Sequence, residues 1–252
     1  MKNRRPLPDP AVAAEKLLAK AGITSPPVDL SKIASIWPNL FIVEQELDGS
    51  GYLLPVGELG AEILINNVDR EERKRFTIAH ELGHWVLGVS LKKKLGHFSQ
   101  PRNVERSETE RWCDAFATNI LMPRFMIKAY VPHSDPVLAI NLIIPAASRF
   151  KVSEEAFFIR LWEILRFQVA FIVLKGSSSQ RELILQRSFA DRTAGLALER
   201  ALGQRELVAQ LQNVQSPILS LSSSGGKIRC AGRRLSEDRL ILVLKWPDVD
   251  TA

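Results

Sequence analysis

The stretch FTIAHELGHWVLG, residues 76–88, constrains this chain more than any other. It places His80 and His84 four residues apart, with Glu81 beside the first. A helix turns about 100° per residue, so His84 lies about 40° from His80 and Glu81 about 100° from it. Ile78, Leu82, Trp85 and Val86 then fall on the opposite side. Such a helix can bury its back and show both imidazoles to a cleft. The i, i+4 spacing lets two ring nitrogens reach one tetrahedral ion. Glu81, off to the side, is placed to take a proton from water rather than to bind the ion. That is the logic of the H-E-x-x-H zinc hydrolase helix.

A catalytic zinc site needs a third protein ligand and an open position. The extension H-x-x-G-x-x-H is absent, because Leu87 and Ser90 stand where Gly and His would be. The next helical stretch, SETERWCDAFATNILM from Ser107, offers carboxylates at Glu108, Glu110 and Asp114, with Glu105 just before it. Glu110 and Asp114 are four apart and share a face. We expect Glu110 as the third ligand and Asp114 as a hydrogen-bond acceptor from a ligand histidine. Phe116, Ile120 and Leu121 are expected on the core side, with Cys113 as a small buried hydrophobe. His97 and Tyr130 are candidate oxyanion donors by chemistry. Zinc is the expected metal, although a mixed His/carboxylate set also accepts manganese or another divalent ion.

Before the zinc helix, LFIVEQEL, SGYLLPVG and AEILINN read as three short strands. Ahead of them, PAVAAEKLLAKAG and VDLSKIASIW read as helices. Asp69 is the expected N-cap of the zinc helix and Gly88 its stop. RFMIKAYV reads as a further short helix. VLAINLIIPAASRF and SEEAFFIRLWEILRF, joined at Lys151–Val152, resemble a helix-turn-helix pair with Ser153 as a cap. Phe157, Leu161 and Leu165 are its expected inner stripe, and Arg149, Lys151 and Arg160 its exposed basic residues. The final portion alternates strand-like runs, VAFIVLKG, ELILQRSF and DRLILVLKW, around a helical stretch near 193–212, with SLSSSGGK as a turn or loop.

RFTIAHELGHWVLG followed by ETERWCDAFATNILMP resembles the ImmA/IrrE family of zinc metallopeptidases, and ERWCDAFATNILMP its IrrE branch. The resemblance covers roughly residues 10–130. It implies zinc ligands at His80, His84 and Glu110 and a general base at Glu81. An acidic residue is common two positions after the ligand Glu in that family, and Trp112 stands there. The implied fold is α+β: a zincin-like metallopeptidase core (1–131) with a small antiparallel or mixed sheet packed on helices, then a helix-turn-helix-like segment (136–166) and a small α/β, GAF-like C-terminal domain (167–252). The implied activity is endopeptidase cleavage of a protein substrate, a transcriptional repressor with a helix-turn-helix domain, inducing stress-response or mobile-element genes.

Charge and composition frame an alternative. Of the net charge of +6, residues 166–252 hold 13 Lys/Arg against 8 Asp/Glu, and the rest of the chain is nearly balanced. A basic region beside a helix-turn-helix-like pair motivates a DNA- or partner-binding transcription regulator with a structural or vestigial metal site. Three strong ligands and a base, rather than four ligands, favour catalysis. Cys113 and Cys230 form no disulfide or CxxC framework. No apolar run of membrane-spanning length and no signal-peptide pattern is read, so no membrane partner and a cytoplasmic location are expected.

Overall fold

The computed structural model describes residues 6–57, 59–91, 107–131, 136–165, 169–177, 180–189, 219–223, 226–236 and 239–245, with the backbone alone in the strands after 168. His97, Glu105 and the helical stretch expected near 193–212 lie outside these residues. The chain divides into two compact units: Met1–Tyr130 with Ala147–Ser153, and Val131–Ala146 with Glu154–Ala252.

The first unit opens with α1 (Pro10–Ala21), which is well specified at both ends. The Asp9 carboxylate accepts from the Ala11 and Val12 amides, and Pro10 occupies the first turn, where a missing N–H costs nothing. Gly22 ends it at φ 61°, with its own amide on Ala19 and that of Ile23 on Leu18. A second helix, α2 (Leu30–Ala34), is capped by Asp29 through the Lys32 amide. It is shorter than the expected span.

Three strands follow: β1 (Leu40–Gln45), β2 (Gly51–Val56) and β3 (Gly60–Asn66). β3 lies in the middle, parallel to β1 and antiparallel to β2, so the sheet is mixed. Ala61, Ile63 and Ile65 on β3 and Leu53 on β2 share one buried parity. The long helix α3 (Glu71–Leu91) packs on β2 and β3. It starts one residue later than expected: the Arg70 carbonyl, not that of Asp69, accepts the first bonds, from the Arg73 and Lys74 amides. It also runs past Gly88, because a lone glycine lowers helix propensity by about 1 kcal/mol and does not stop a packed helix. Leu82, Trp85 and Val86 are buried as the helical phase requires. Trp85 meets Trp37 edge-on at 6.2 Å, and Arg75 donates to the Val28 carbonyl at 2.8 Å.

Helix α4 (Glu108–Leu121) lies against α3 and α1. Trp112, Cys113, Phe116, Ala117, Ile120 and Leu121 form its buried side. Trp112 stacks on Phe116 at 5.3 Å and donates its indole N–H to the Pro8 carbonyl, so it fastens the segment before α1. Pro123 follows the end of α4 and α5 (Arg124–Tyr130) begins immediately after.

Helix α6 (Pro136–Phe150) ends in a tight left-handed turn at Lys151, φ 52°. The Lys151 amide bonds to Ser148 and that of Val152 to Ala147, the same closure that Gly22 makes for α1. α7 (Glu154–Leu165) starts directly after Ser153, with Phe157 and Leu161 buried. Arg160 departs from expectation: it is buried, not exposed, and its guanidinium is paired with Glu163 at 3.0 Å. A long aliphatic stem lets an arginine bury while its head finds a carboxylate one turn on.

The second unit contains an antiparallel five-stranded sheet: β4 (Val169–Ser177), β5 (Gln180–Phe189), β6 (Leu219–Ser223), β7 (Gly226–Ser236) and β8 (Arg239–Lys245), in the order β5-β4-β8-β7-β6. The three strand-like runs read from the sequence are strands. The stretch read as a loop, SLSSSGGK, is instead largely a hairpin, with Ser220 opposite Arg229 and Ser223 opposite Gly226. Leu219 and Leu221 alternate with Ser220 and Ser222, a strand pattern that the Ser/Gly-rich run after it obscured.

Candidate metal centre and active site

The described residues contain one group of side chains suited to a metal ion: His80, His84 and Glu110. The first two come from α3 and the third from α4. Their placement follows from local sequence. Ser107 caps α4 by accepting from the Glu110 amide at 3.2 Å. S-E-T-E is a capping-box pattern in which the Glu can turn back to the cap. Here the Glu110 carboxylate is directed at the histidines instead. Gly83 lets the two helices approach: a Cβ there would stand 3.2 Å from the Cys113 Cα and from Phe116 Cδ1. Of the four acidic residues weighed for this role, Glu110 and Asp114 reach the histidines, Glu108 is exposed, and Glu105 is not among the described residues.

The two Nε2 atoms lie 3.2 Å apart. Glu110 Oε2 is 3.2 Å from His80 Nε2, and Oε1 is 3.3 Å from His84 Nε2. Ligand bonds of about 2.0–2.1 Å in a tetrahedron give edges of about 3.3 Å. The spacing of the two nitrogens matches one such edge, and Glu110 meets each ring at a similar spacing with a different oxygen. The chemistry agrees. His80 Nδ1 meets Asp114 Oδ1 at 2.9 Å, which fixes the Nδ1–H tautomer and points the Nε2 lone pair at the other ligands. Electron-rich atoms at this spacing repel unless a proton or a cation lies between them, and the donor set suits zinc.

Electrostatics separate the roles. Burial, then the neighbouring His80, pushes His84 down to about 4, so near neutrality it is an uncharged imidazole, the form that binds a metal. Burial pulls His80 down, but the Asp114 hydrogen bond and the charges of Glu81, Asp114 and Glu110 outweigh it and raise it. Glu81 is 7% exposed. Burial, helped by Glu110, pushes its carboxyl up to about 7 against the pull of His80 and of a hydrogen bond from the Leu53 main chain. A carboxyl with that proton affinity suits a base working near neutral pH. The Cys113 thiol is fully buried and pushed up by burial and the carboxylates around it, which makes it unreactive.

The Tyr130 ring contacts Phe150 edge-on at 6.2 Å. Gly83 is the feature that the sequence did not announce: it lies inside the zinc motif, but the close approach it permits is to a helix distant in sequence.

Residues 44–161 match the family Peptidase_M78, the IrrE N-terminal-like domain. The chain is 31% identical over 145 residues to the radiation response metalloprotease IrrE of Deinococcus radiodurans, a span of 57% of this chain and 42% of that protein. It thus covers less than half the length of that relative. A solved structure, a Mycobacterium tuberculosis transcriptional regulator, overlays 94% of this chain on 74% of its own at a TM-score of 0.48 and 14% identity.

Proposed function

We propose that the chain, which matches the IrrE N-terminal-like domain over residues 44–161, is a metal-dependent endopeptidase of the ImmA/IrrE family. The observation that carries this reading is the triangle of His80, His84 and Glu110, with Glu81 beside it and not in it. His80, His84 and Glu110 would hold the ion, zinc by preference and manganese or another divalent metal as an alternative. When bound, the ion supplies polarisation of the scissile carbonyl and an acidified water. Glu81 takes the proton of the attacking water and returns it to the leaving amine. Asp114 keeps His80 in the tautomer that offers Nε2 to the site. The Gly83 contact between α3 and α4 keeps Glu110 within reach of both rings.

The substrate we propose is a transcriptional repressor with a helix-turn-helix domain, whose cleavage induces stress-response or mobile-element genes. Its support is the resemblance to the IrrE branch. Within the second unit, the sheet of β4–β8 is proposed as a GAF-like sensory domain after the helix-turn-helix-like segment. The alternative of a DNA-binding regulator loses one of its three motivating cations, since Arg160 is buried against Glu163, leaving Arg149 and Lys151 exposed. Specific DNA readout needs several phosphate contacts as well as base contacts.

The test is intact-mass analysis of the zinc-loaded full chain incubated with a repressor encoded beside its gene. A single cut that chelation abolishes is the expected result. An uncut repressor together with salt-dependent DNA binding by the metal-free chain would move the conclusion to the regulator.

A further inference from the structure

Glu110 spans the two imidazoles with different oxygens, Oε2 at 3.2 Å from His80 Nε2 and Oε1 at 3.3 Å from His84 Nε2. That reach tolerates little rotation of α4, since a turn of about 10° about the helix axis carries the tip of a long side chain by about 1 Å. The cap at Ser107 fixes the Glu110 amide, but only at the helix end. Trp112 stands two residues on, so it projects about 200° from Glu110, across the axis. It is 6% exposed and held in two ways. Its ring stacks on Phe116, with centroids 5.3 Å and planes 12° apart, and Phe116 fills the space beside Gly83 of α3. Its indole N–H donates to the Pro8 carbonyl at 2.5 Å. The acceptor is itself anchored. Asp9, the next residue, caps α1 through the Ala11 and Val12 amides at 2.8 and 3.0 Å, Pro10 occupies the first turn, and α1 packs on α4.

We propose that the clasp between Trp112 and Pro8 is a positioning device for Glu110, so that the segment before α1, which supplies no ligand, is a functional part of the metal centre. The proposal rests on the reading of Glu110 as a ligand. One contact leaves a helix free to roll about it, whereas grips on opposite sides of the axis resist rolling. Trp112 provides the far grip, and the packing of α4 on α3 at Gly83 provides the near one. Where the resemblance leads one to expect an acidic residue, Trp112 supplies a donor instead. A carboxylate at that position would set two acceptors against each other, because a main-chain carbonyl cannot donate. Pro8 also lies outside residues 44–161, the span that the family model matches. The clasp therefore ties the ligand helix to a part of the chain beyond the matched domain.

Three measurements on the full chain test it. In NMR spectra of the metal-free and the zinc-loaded chain, the Trp112 indole N–H should show NOEs to Pro8 and Asp9 protons, and their absence overturns the contact. In a zinc competition titration, Trp112→Phe keeps a ring to stack on Phe116 and removes the donor, and affinity should fall about tenfold. Ile33→Val, a core deletion in α2 rather than α4, should lower the unfolding midpoint and leave zinc affinity at the parent's value. With cobalt(II) in place of zinc, the visible ligand-field spectrum should change in Trp112→Phe and match the parent's in Ile33→Val. Parent-like affinity and spectrum in Trp112→Phe, or an equal loss in Ile33→Val, overturns the positioning role and leaves Trp112 as a source of stability alone. If Trp112→Phe does not fold, Pro8→Gly takes its place: it keeps the acceptor, frees the chain that carries it and should weaken zinc in the same direction. If Glu110→Gln binds zinc like the parent, it is the ligand reading that fails and the positioning role with it, while the NOEs still decide the contact.

Discussion

At the scale of single residues, the site divides its carboxylates by environment. Glu110 faces two imidazole nitrogens, Asp114 faces the far nitrogen of one of them, and Glu81 is buried beside them. Substitutions at Glu81 and Asp114 should separate these roles in three measurements. Glu81→Gln should keep zinc and lose cleavage by about a hundredfold or more, read as initial rate against metal content. Asp114→Ala should weaken zinc binding by about 10–100-fold in a competition titration, and Asp114→Asn, which can still accept from Nδ1–H, should recover part of it. The third concerns pH in the metal-free chain. The Glu81 carboxyl is raised from 4.5 to about 7 on folding, so between those values the folded chain holds a proton that the unfolded chain has lost. Stability from this group is therefore complete below about pH 4.5 and falls as pH rises towards 7. Glu81→Gln should remove that decline and be more stable than the parent at pH 8, on the order of 2 kcal/mol, with no such advantage at pH 4. Urea denaturation in the presence of a chelator measures it. A variant no more stable than the parent at pH 8 would mean that Glu81 ionises freely.

At the scale of elements, the contact between α3 and α4 and the turns that end helices show what a sequence does and does not reveal. Helical phase alone placed His80 and His84 on one side and Leu82, Trp85 and Val86 on the other, and it paired Glu110 with Asp114. Those relations lie within one helix, where spacing fixes direction. The burial of Arg160 and the hairpin around Ser223 were not legible: an arginine with a carboxylate one turn on reads as a surface pair, and a Ser/Gly-rich run reads as a loop. Gly83 belongs to the same class: it sits inside the zinc motif, but its reason is the backbone of Cys113. Gly83→Ala gains helix propensity of about 1 kcal/mol and meets atoms at 3.2 Å that must move. We expect a net loss near 1 kcal/mol with weaker zinc binding, read by thermal denaturation with and without metal. Lys151 offers the opposite case. It holds a left-handed conformation that glycine adopts freely, as Gly22 does at the end of α1. Lys151→Gly should therefore stabilise by about 0.5–1 kcal/mol. A loss in chemical denaturation would show that its side chain contributes more than its backbone costs.

At the scale of the whole molecule, the first unit carries every side chain of the candidate site, and the sequence from α1 to α5 was read nearly element by element. Amphipathic helices with caps at Asp9, Asp29 and Ser107 leave little ambiguity. The second unit was harder to read, because in LSLSS the alternation is only two leucines long and runs straight into a Ser/Gly-rich stretch. No helix among the described residues is long and apolar enough to cross a membrane. The account of the molecule as an enzyme rests on one division of labour, three ligands and a base that is not a ligand. Zinc titration of the parent, Glu110→Gln and Glu81→Gln chains tests it most directly. The expected result is one zinc per parent chain, affinity lower by on the order of a hundredfold in Glu110→Gln, and affinity close to the parent's in Glu81→Gln. Equal affinity in all three chains, or a loss in Glu81→Gln as large as in Glu110→Gln, would contradict it.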